Sequence, residues 1–308
     1  MSEAKHPLIS ICIPTYKRPE IIKETLSSIV EANISDNILD VCITDNSTTD
    51  ETKEMIEREF KNVKFIKYKK TTCEGFLNSI EALKFGDGEF LKLHNDYSKF
   101  KTGALNNFIK VIEKYREEKP ILFFSMGALN KNIKIQSFFN FNEFLYDIHY
   151  YSTWSSAFGI WKKDFDKLCT SDIFIDHMFP HTSFLFSCTD NKSYIVDDTK
   201  YVNNLPLKKK GGYNLTDNFV RLYLTMVKHL KEAGYISNMT YSKIENGIIK
   251  FVASWYNNVK FNNEIYFFTF ENTEQIINAI CGKKAVIKYH FWKKVYFIKF
   301  TFKQIMKK

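Results

Sequence analysis

The sequence predicts an α/β protein with a mainly parallel sheet flanked by helices, followed by a helical C-terminal extension. Apolar runs of strand length alternate with amphipathic helical segments up to about residue 125. Beyond residue 205 the pattern is mostly helical and basic. With 308 residues, 44% hydrophobic residues, 11 glycines and 6 prolines, the chain is expected to form one large domain plus an extension. This composition excludes the disordered and fibrous classes.

Turn residues mark the first two strand-helix units. An apolar strand over 8–13 ends at Pro14, and Pro19 opens a helix that is expected to continue to residue 32. A second strand over 39–44 ends in an Asp/Ser turn, after which a helix is expected over 50–60. Successive units of this kind predict parallel pairing of their strands.

The following units repeat the alternation and define two regions. We expect strands over 63–68, 89–93 and 121–125, separated by helices over 75–85 and 102–118. From 130 to 205 the sequence is irregular and aromatic, and it is expected to complete the sheet. We therefore predict one domain over 1–205 and a basic, mainly helical extension over 206–308, separated by a basic glycine hinge at 208–213.

Cysteine usage and charge bear on location and partners. The six cysteines show no metal-ligand spacing, which indicates reduced thiols in a cytosolic protein. No signal segment precedes the first strand and no apolar run is long enough to span a bilayer, so we expect a cytoplasmic protein. Residues 201–308 carry 18 Lys and Arg against 6 Asp and Glu. This excess predicts an anionic partner, either a membrane surface or a phosphorylated substrate.

Polar residues follow three of the predicted strands. The first strand leads into Pro14-Thr15-Tyr16-Lys17-Arg18, the second into Asp45-Asn-Ser47, and Gly88-Glu-Phe-Leu leads into His94-Asn95-Asp96. In open α/β sheets, ligands bind beyond the carboxyl ends of the strands. In order and spacing over residues 8–205, these motifs resemble the family 2 glycosyltransferases of the GT-A fold, in particular the abequosyltransferase-like members that build bacterial surface polysaccharides.

This resemblance implies an enzyme that moves a sugar from a nucleotide diphosphate, expected to be UDP, to a hydroxyl of a surface glycan. The glycan would be a capsule, O-antigen, lipooligosaccharide or teichoic acid, or a lipid-linked precursor, and the transfer would invert the anomeric centre. The resemblance also implies that Pro14, Thr15, Tyr16 and Arg18 contact the nucleotide.

Two further nucleotide contacts are implied by the resemblance. Asp45 corresponds to an aspartate that accepts hydrogen bonds from the base or the ribose, although Asp45 or Ser47 could instead cap the helix at Asp50. Asn78 follows a stretch that matches a family turn, with Cys73 in place of its asparagine. Asn78 would reach the nucleotide, or would simply lie on the helix surface.

The strand-end triplet His94-Asn95-Asp96 predicts a divalent metal site. Family members carry Asp-x-Asp here, whereas this chain keeps only Asp96 and has His94 in the first position. Asn95, between them, is expected to contact the nucleotide-sugar donor. One imidazole and one carboxylate suit Mn²⁺ better than Mg²⁺, so Mn²⁺ or Mg²⁺ is the expected cofactor. The alternative is that His94 is an ordinary histidine at a strand end.

The catalytic base is expected between 176 and 185. The family places a Glu-Asp pair at the start of a helix there, and this chain has His181-Thr182 instead. Asp176 and His181 are the candidates, with His177 third, and we favour Asp176 because the family uses a carboxylate. Each of them could also be a structural residue.

Two basic segments complete the predicted partners. Lys210, in the run of lysines before Gly211, is expected to clamp the diphosphate, unless the run is a solvated linker. Written as a helix, the last residues place Phe291, Val295, Ile298 and Phe302 on one stripe between lysines. Such a helix is expected to lie on the anionic inner face of the cell membrane, and the alternative is docking on the protein core.

Two other classes of function fit the sequence less well. A sugar nucleotidyltransferase would need a glycine-rich phosphate loop after the first strand, and the segment from Pro14 to Arg18 contains no glycine. An RNA-binding protein would interleave aromatic and basic residues over a sheet face, whereas here the basic excess lies in the last hundred residues. We therefore expect no nucleic-acid partner.

Overall fold

The computed structural model describes residues 6–207 and 210–306. Their contacts divide the chain into two units. The first unit comprises the residues up to 144 together with 151–205, and the second comprises 145–150 and the residues from 206 onward. We propose the first unit as the sugar-transfer domain and the second as the extension, with residues 145–150 grouped in the latter.

The strands are β1 Ile9–Thr15, β2 Leu39–Asp45, β3 Ile66–Lys70, β4 Phe90–Leu93, β5 Ser98–Phe100, β6 Ile121–Phe124, β7 Ile135–Phe138, β8 Gly159–Trp161, β9 Tyr194–Asp197, β10 Val202–Asn204, β11 Lys210–Asn214 and β12 Tyr266–Thr269. The α-helices are α1 Pro19–Val30, α2 Glu51–Glu59, α3 Asn78–Phe85, α4 Ala104–Lys114, α5 Phe141–Ile148, α6 Lys162–Cys169, α7 Pro180–Phe186, α8 Leu224–Glu232, α9 Asn238–Phe261, α10 Thr273–Cys281 and α11 Lys283–Ile305. A π-helix over Asp217–Tyr223 leads into α8.

The main sheet of the first unit has the strand order β3-β2-β1-β4-β8. The pairs β2–β3, β1–β2 and β1–β4 are parallel, and only β8 runs antiparallel. The central strand β1 is buried at every residue except Pro14, as expected for a parallel strand covered on both faces. The predicted fold class is confirmed.

Helices with one apolar face cover this sheet. In α1, Pro19 occupies the first turn, where its missing N–H costs no hydrogen bond, and Ile22, Leu26 and Ile29 are buried along one face. In α4 the buried residues Leu105, Phe108, Ile109 and Ile112 follow the same helical spacing. The helices therefore fix the sheet by packing, and their apolar periodicity predicts them from sequence.

The region from 130 to 205 adds β8 to the main sheet and forms two smaller sheets. One has the order β6-β9-β7 and the other pairs β10 with β5 in antiparallel fashion. Aromatic side chains join these layers, with ring centroids 4.9 Å apart for Phe90 and Trp161 and 4.5 Å apart for Phe108 and Phe124. Phe144, Phe158 and Phe165, which do belong to the region 130–205, are buried and contribute to the core.

In the second unit, α11 packs along α9, and β11 pairs in parallel with β12. The predicted glycine hinge is therefore wrong for 210–213, which belongs to a strand, while Lys208 and Lys209 lie outside the described residues. Gly211 has φ +137, and a Cβ there would lie 2.6 Å from the carbonyl carbon of Phe267. The glycine is required because β11 approaches β12 too closely for a side chain. Within the described ranges, no helix is long and apolar enough to cross a membrane.

Candidate active site

The predicted site residues meet where β1, β2 and β4 end. In the parallel pairing Thr15 lies opposite Asp45, and the N–H of His94 donates to the carbonyl of Cys12 at 2.9 Å. The turns after the three strands therefore share one edge of the sheet. This edge is the position at which open α/β sheets bind their ligands.

Asp96 is the centre of this edge. Its Oδ2 accepts a hydrogen bond from Thr15 Oγ1 at 2.8 Å, and its Oδ1 pairs with Nη1 of Arg18 at 2.9 Å. Burial raises the pKa of Asp96, and the guanidinium of Arg18 opposes this shift. The carboxyl group is 3% exposed, whereas 37% of the Arg18 side chain remains exposed. Arg18 thus presents a cation to the solvent side of the edge, where a diphosphate would need one.

His94 is held away from solvent. Its ring stacks on Phe100 with centroids 4.8 Å apart and planes within 4° of parallel. Nε2 lies 2.6 Å from the carbonyl oxygen of Ser98, to which it donates, and Nδ1 is buried without a hydrogen-bond partner. Burial, and then the charge of Lys92, lowers the pKa of His94 to about 3, so the ring is neutral at physiological pH.

The donor set determines whether a divalent cation fits here. Among the residues that the structure describes, no group of three or more His, Cys, Asp or Glu could hold a metal ion. Mg²⁺ in nucleotide sites uses one or two carboxylates together with phosphates and water, so Asp96 can serve as a ligand once a diphosphate is bound. The cation would compete with Arg18 for Oδ1. The neutral Nδ1 of His94 is the second candidate ligand, and the predicted metal site stays a prediction.

Asp45 is used inside the fold. Its Oδ1 accepts from the backbone N–H and the hydroxyl of Ser47, and its Oδ2 accepts from the hydroxyl of Tyr68 at 3.0 Å. Ser47 Oγ in turn accepts from the N–H of Lys17 at 2.7 Å, which links the turns after β1 and β2. Because α2 has no side-chain cap, the capping alternative is wrong. Asp45 positions the turn, and its direct contact with a nucleotide stays a prediction.

Asn78 joins the ends of the two central strands. Its amide nitrogen donates to the carbonyl oxygens of Thr44 at 2.9 Å and Thr15 at 3.3 Å, and its Oδ1 accepts from Thr71 Oγ1 at 2.9 Å. Both amide hydrogens are therefore occupied, and the side chain is buried. This geometry does not support the expected nucleotide contact. It is also not that of a helix-surface asparagine, because Asn78 holds the strand ends in register.

The remaining predicted nucleotide contacts differ in exposure. Tyr16 is 48% exposed beside Lys17, whose φ of +52 turns the chain sharply after β1. Pro14 is half-buried. Asn95 is also half-buried, and its Oδ1 accepts from Ser155 Oγ at 3.2 Å. Lys210 lies in β11 of the second unit, and its proposed contact with the diphosphate stays a prediction.

His181 lies in the first turn of α7, and Asp176 lies in the segment just before this helix. The Oδ1 of Asp176 accepts from the N–H groups of Met178 at 2.8 Å and Phe179 at 2.9 Å, so the carboxylate has a fixed orientation. His181 Nε2 lies 3.0 Å from the carbonyl oxygen of Thr153, to which it donates, which leaves Nδ1 as its proton acceptor. Burial lowers the pKa of His181 to about 4, so the ring is neutral but weakly basic. The third candidate, His177, is mostly exposed and lies 3.8 Å from Glu74.

Lys92 is a buried group that the sequence analysis did not identify. It lies inside β4, where its Nζ donates to the carbonyl oxygens of Leu93 and Ser156. Burial lowers its pKa to about 7. A lysine within the apolar run Phe90-Leu-Lys-Leu93 is the only sequence signal that could have pointed to it.

Comparison with known proteins gives one family match and several structural likenesses. Residues 10–119 match the family model described as glycosyl transferase family 2. The chain is 45% identical to abequosyltransferase RfbV from Salmonella typhimurium over 58 residues. These residues make up 19% of this chain and 17% of that protein. The chain therefore aligns with less than a fifth of the length of this relative.

The solved structures cover nearly the whole chain. S. aureus TarS 1–349 in complex with UDP-GlcNAc superposes with a TM-score of 0.61 over 94% of this chain and 91% of that one, at 14% identity. The mannosyltransferase PcManGT from Pyrobaculum calidifontis, in complex with GDP-Man and Mn²⁺, gives 0.53 over 94% and 88% at 12% identity. At such identities the likeness establishes the fold alone, and the fold is GT-A.

Proposed function

Because residues 10–119 match the model described as glycosyl transferase family 2, we propose that this protein moves a sugar from a nucleotide diphosphate to a hydroxyl of a bacterial surface glycan. One observation carries the proposal: the ends of β1 and β4 bring Thr15, Arg18 and Asp96 into one hydrogen-bonded group. A leaving diphosphate develops charge that must be neutralised during transfer. The exposed guanidinium of Arg18, held by Asp96, suits that role.

UDP is the proposed nucleotide. Support comes from TarS, which is solved with UDP-GlcNAc, although PcManGT is solved with GDP-Man. Mn²⁺ or Mg²⁺ would be held by Asp96 together with the diphosphate, with His94 as a further candidate ligand. When bound, the cation would supply Lewis-acid stabilisation of the leaving group. Thr15 and Arg18 would keep the Asp96 carboxylate in place.

A base in α7 or in the segment just before it would complete an inverting transfer. The acceptor hydroxyl must lose its proton as its oxygen attacks the anomeric carbon, and a positioned base contributes about 10²–10⁴-fold to such rates. We favour Asp176, because two N–H bonds fix the orientation of its carboxylate. His181 is the alternative, through its Nδ1.

We also propose that the exposed face of α11 binds an anionic membrane, where a lipid-linked acceptor would be found. The face that packs toward α9 carries Ala285, Tyr289, Trp292, Tyr296 and Phe300. The opposite face exposes an apolar stripe at helical spacing, formed by Ile287, Phe291, Val295, Ile298, Phe302 and Ile305. One face of α11 is therefore docked on α9, and the opposite face is free to be the membrane-binding face that we propose.

Charge favours a membrane over a second copy of the chain as the occupant of this stripe. The helix Lys283–Ile305 carries seven lysines and no acidic residue. A symmetric pairing of two such helices would oppose like charges, whereas anionic headgroups gain about 1 kcal/mol for each nearby lysine. Lys293 is an exception among the lysines beside the apolar stripe, because its Nζ lies 3.8 Å from the ring centre of Tyr256 on α9.

Thermal shift measurements would separate the classes of function. The protein is mixed with UDP, UTP or GDP, with and without Mn²⁺, and separately with single-stranded RNA. The proposal expects the largest rise in melting temperature with UDP and Mn²⁺, since a ligand at about 100 times its Kd stabilises by about 2.7 kcal/mol. A preference for UTP would favour a nucleotidyltransferase, and a response to RNA alone would overturn the proposal.

A further inference from the structure

A polar cavity of about 280 Å³ lies within the first unit. Its walls include Trp154, Ser156, Lys200, Asn203 and Asn204. Cavities for drug-sized ligands measure about 300–1,000 Å³, so this one has the size for a single small ring. None of these five residues was predicted as a site residue from the sequence.

The cavity lies across β4 from the proposed nucleotide residues. In the strand order β2-β1-β4-β8, Asp45 and Thr15 end the strands on one side of β4, while Trp154 and Ser156 precede β8 on the other. The strand-end triplet therefore lies between the two groups. Two hydrogen bonds link the cavity wall to residues 94–98. Ser155, which lies between Trp154 and Ser156, donates from its Oγ to Asn95 Oδ1 at 3.2 Å. Ser98 donates from its Oγ to Oδ1 of Asn204 at 2.7 Å.

The segment 152–156 that carries Trp154 is fixed by side chains from elsewhere in the first unit. The carbonyl oxygen of Ser156 accepts from the buried Lys92, and that of Thr153 accepts from His181 at 3.0 Å. The carbonyl oxygen of Ser152 accepts from Thr182 Oγ1, also at 3.0 Å. His181 is a candidate base, and Thr182 is the residue next to it on α7. The wall of the cavity is therefore connected to α7.

Another part of the cavity wall has an unusual backbone. Met126 lines the cavity with a φ of +54, a conformation that is uncommon for residues other than glycine. Gly127 follows with φ +82, and a Cβ there would lie 3.1 Å from Cβ of Lys200. Strained backbone of this kind persists where the surrounding structure enforces it, and it concentrates at ligand sites.

We propose that this cavity binds one sugar ring, either the sugar of the donor or the terminal residue of the acceptor. The inference rests on the proposed function, because it identifies where a reacting sugar would lie. A pyranose has an apolar C–H face and a rim of hydroxyls. The indole of Trp154 matches the first, and the amides of Asn203 and Asn204 and the ammonium of Lys200 match the second.

The test uses Trp154→Ala and Lys200→Met in the full chain. Phe139→Ala and Lys192→Met are the controls, because both side chains are exposed and neither lines the cavity. Calorimetry compares UDP with UDP-glucose, UDP-galactose and UDP-N-acetylglucosamine. Saturation-transfer NMR then measures binding of the methyl glycosides of glucose, galactose, mannose and N-acetylglucosamine to the UDP-loaded protein.

The two arms distinguish the source of the sugar. If the donor sugar occupies the cavity, Trp154→Ala weakens binding of the preferred UDP-sugar about tenfold while leaving that of UDP unchanged. If the acceptor occupies it, nucleotide affinities are unchanged and the glycoside signal is lost. Lys200→Met, an exposed substitution that is expected to fold normally, should weaken the same ligand.

Failure of the cavity proposal and of the proposed function would look different. If UDP binds, and if both cavity variants bind every sugar probe as the control variants bind it, the cavity is not a sugar site. If wild-type protein binds glycosides in a Trp154-dependent manner but binds no nucleotide, the cavity proposal stands and the transferase proposal fails.

Discussion

At the scale of single residues, the pair Arg18 and Asp96 couples a buried anion to a partly exposed cation. Asp96→Asn keeps the shape but removes the charge that would bind Mn²⁺ and orient Arg18. We expect UDP binding by this variant to lose its dependence on Mn²⁺, with turnover reduced about 10²-fold. Calorimetry with and without Mn²⁺ measures the first effect.

The matched control for this substitution is Asp87→Asn, since Asp87 is an exposed carboxylate paired with Lys67 away from the three strand ends. It should bind UDP and Mn²⁺ as the wild type does. Retention of the full Mn²⁺ effect by Asp96→Asn would remove Asp96 from the proposed metal site.

The assignment of the base is also a question about single residues. Asp176→Asn should lower kcat about 10²–10⁴-fold while leaving UDP affinity unchanged, because a base acts on the acceptor and not on the nucleotide. His181→Gln should then retain more activity than Asp176→Asn. Steady-state kinetics with melting temperatures for both variants separates loss of the base from unfolding. The reverse order of activities would assign the base to His181.

At the scale of secondary-structure elements, the close approach of β11 to β12 gives a stability prediction. Gly211 and Gly212 both have positive φ, but only at Gly211 would a Cβ meet the backbone of Phe267 and Phe268 within 3 Å. Gly211→Ala should therefore lower the melting temperature more than Gly212→Ala does. Thermal unfolding followed by circular dichroism measures both, and equal losses would show that φ strain alone determines the cost.

The helix α11 tests the membrane proposal without being removed. Deleting it would expose the face of α9 on which it packs, so substitutions on its outer stripe are the cleaner test. Phe291→Gln with Phe302→Gln should abolish flotation with phosphatidylglycerol vesicles and leave the melting temperature unchanged. Phe139→Gln, which changes a still more exposed phenylalanine in another part of the chain, should float as the wild type does.

Two outcomes would contradict the membrane proposal. One is flotation that persists in the double variant. The other is a wild-type oligomer that dissociates on the same substitutions while vesicles bind neither protein, which would assign the stripe to contacts between copies of the chain.

At the scale of the whole molecule, buried neutral histidines set the response to acid. The unfolded chain protonates His94 and His181 near the ordinary histidine pKa of 6.5, whereas burial holds the folded pKa values at about 3 and about 4. The unfolded state binds more protons below pH 6.5, so stability falls as the pH drops toward 4. Each histidine contributes about 1.4 kcal/mol per pH unit in this window.

Urea unfolding at several pH values between about 4.5 and about 7.5 measures this slope. His181→Gln should reduce it, and His177→Gln, at an exposed position, should not. An unchanged slope in His181→Gln would mean that this ring is protonated in the folded protein.

How much of the molecule can be predicted from its sequence depends on the range of the interactions involved. The strands and helices from β1 to α4, except the short strand β5, follow from local apolar periodicity, and Thr15, Arg18 and Asp96 follow from strand ends. The strand β11 was missed because its partner β12 lies more than fifty residues later. The sequence also could not show that Asp45 pairs with Tyr68, or that His94 stacks on Phe100, because these contacts form only in the folded sheet.

The way in which segment 152–156 is held bears on how the protein could diversify. The carbonyl oxygens of Ser156, Thr153 and Ser152 accept hydrogen bonds from Lys92, His181 and Thr182, so residues distant in sequence help to fix its path. Trp154 could then be exchanged while the backbone beneath it stays in place. A lineage carrying this scaffold would be able to explore new sugar specificities by changing one or two residues here. A library at Trp154 and Lys200 would therefore be a practical starting point for directed evolution.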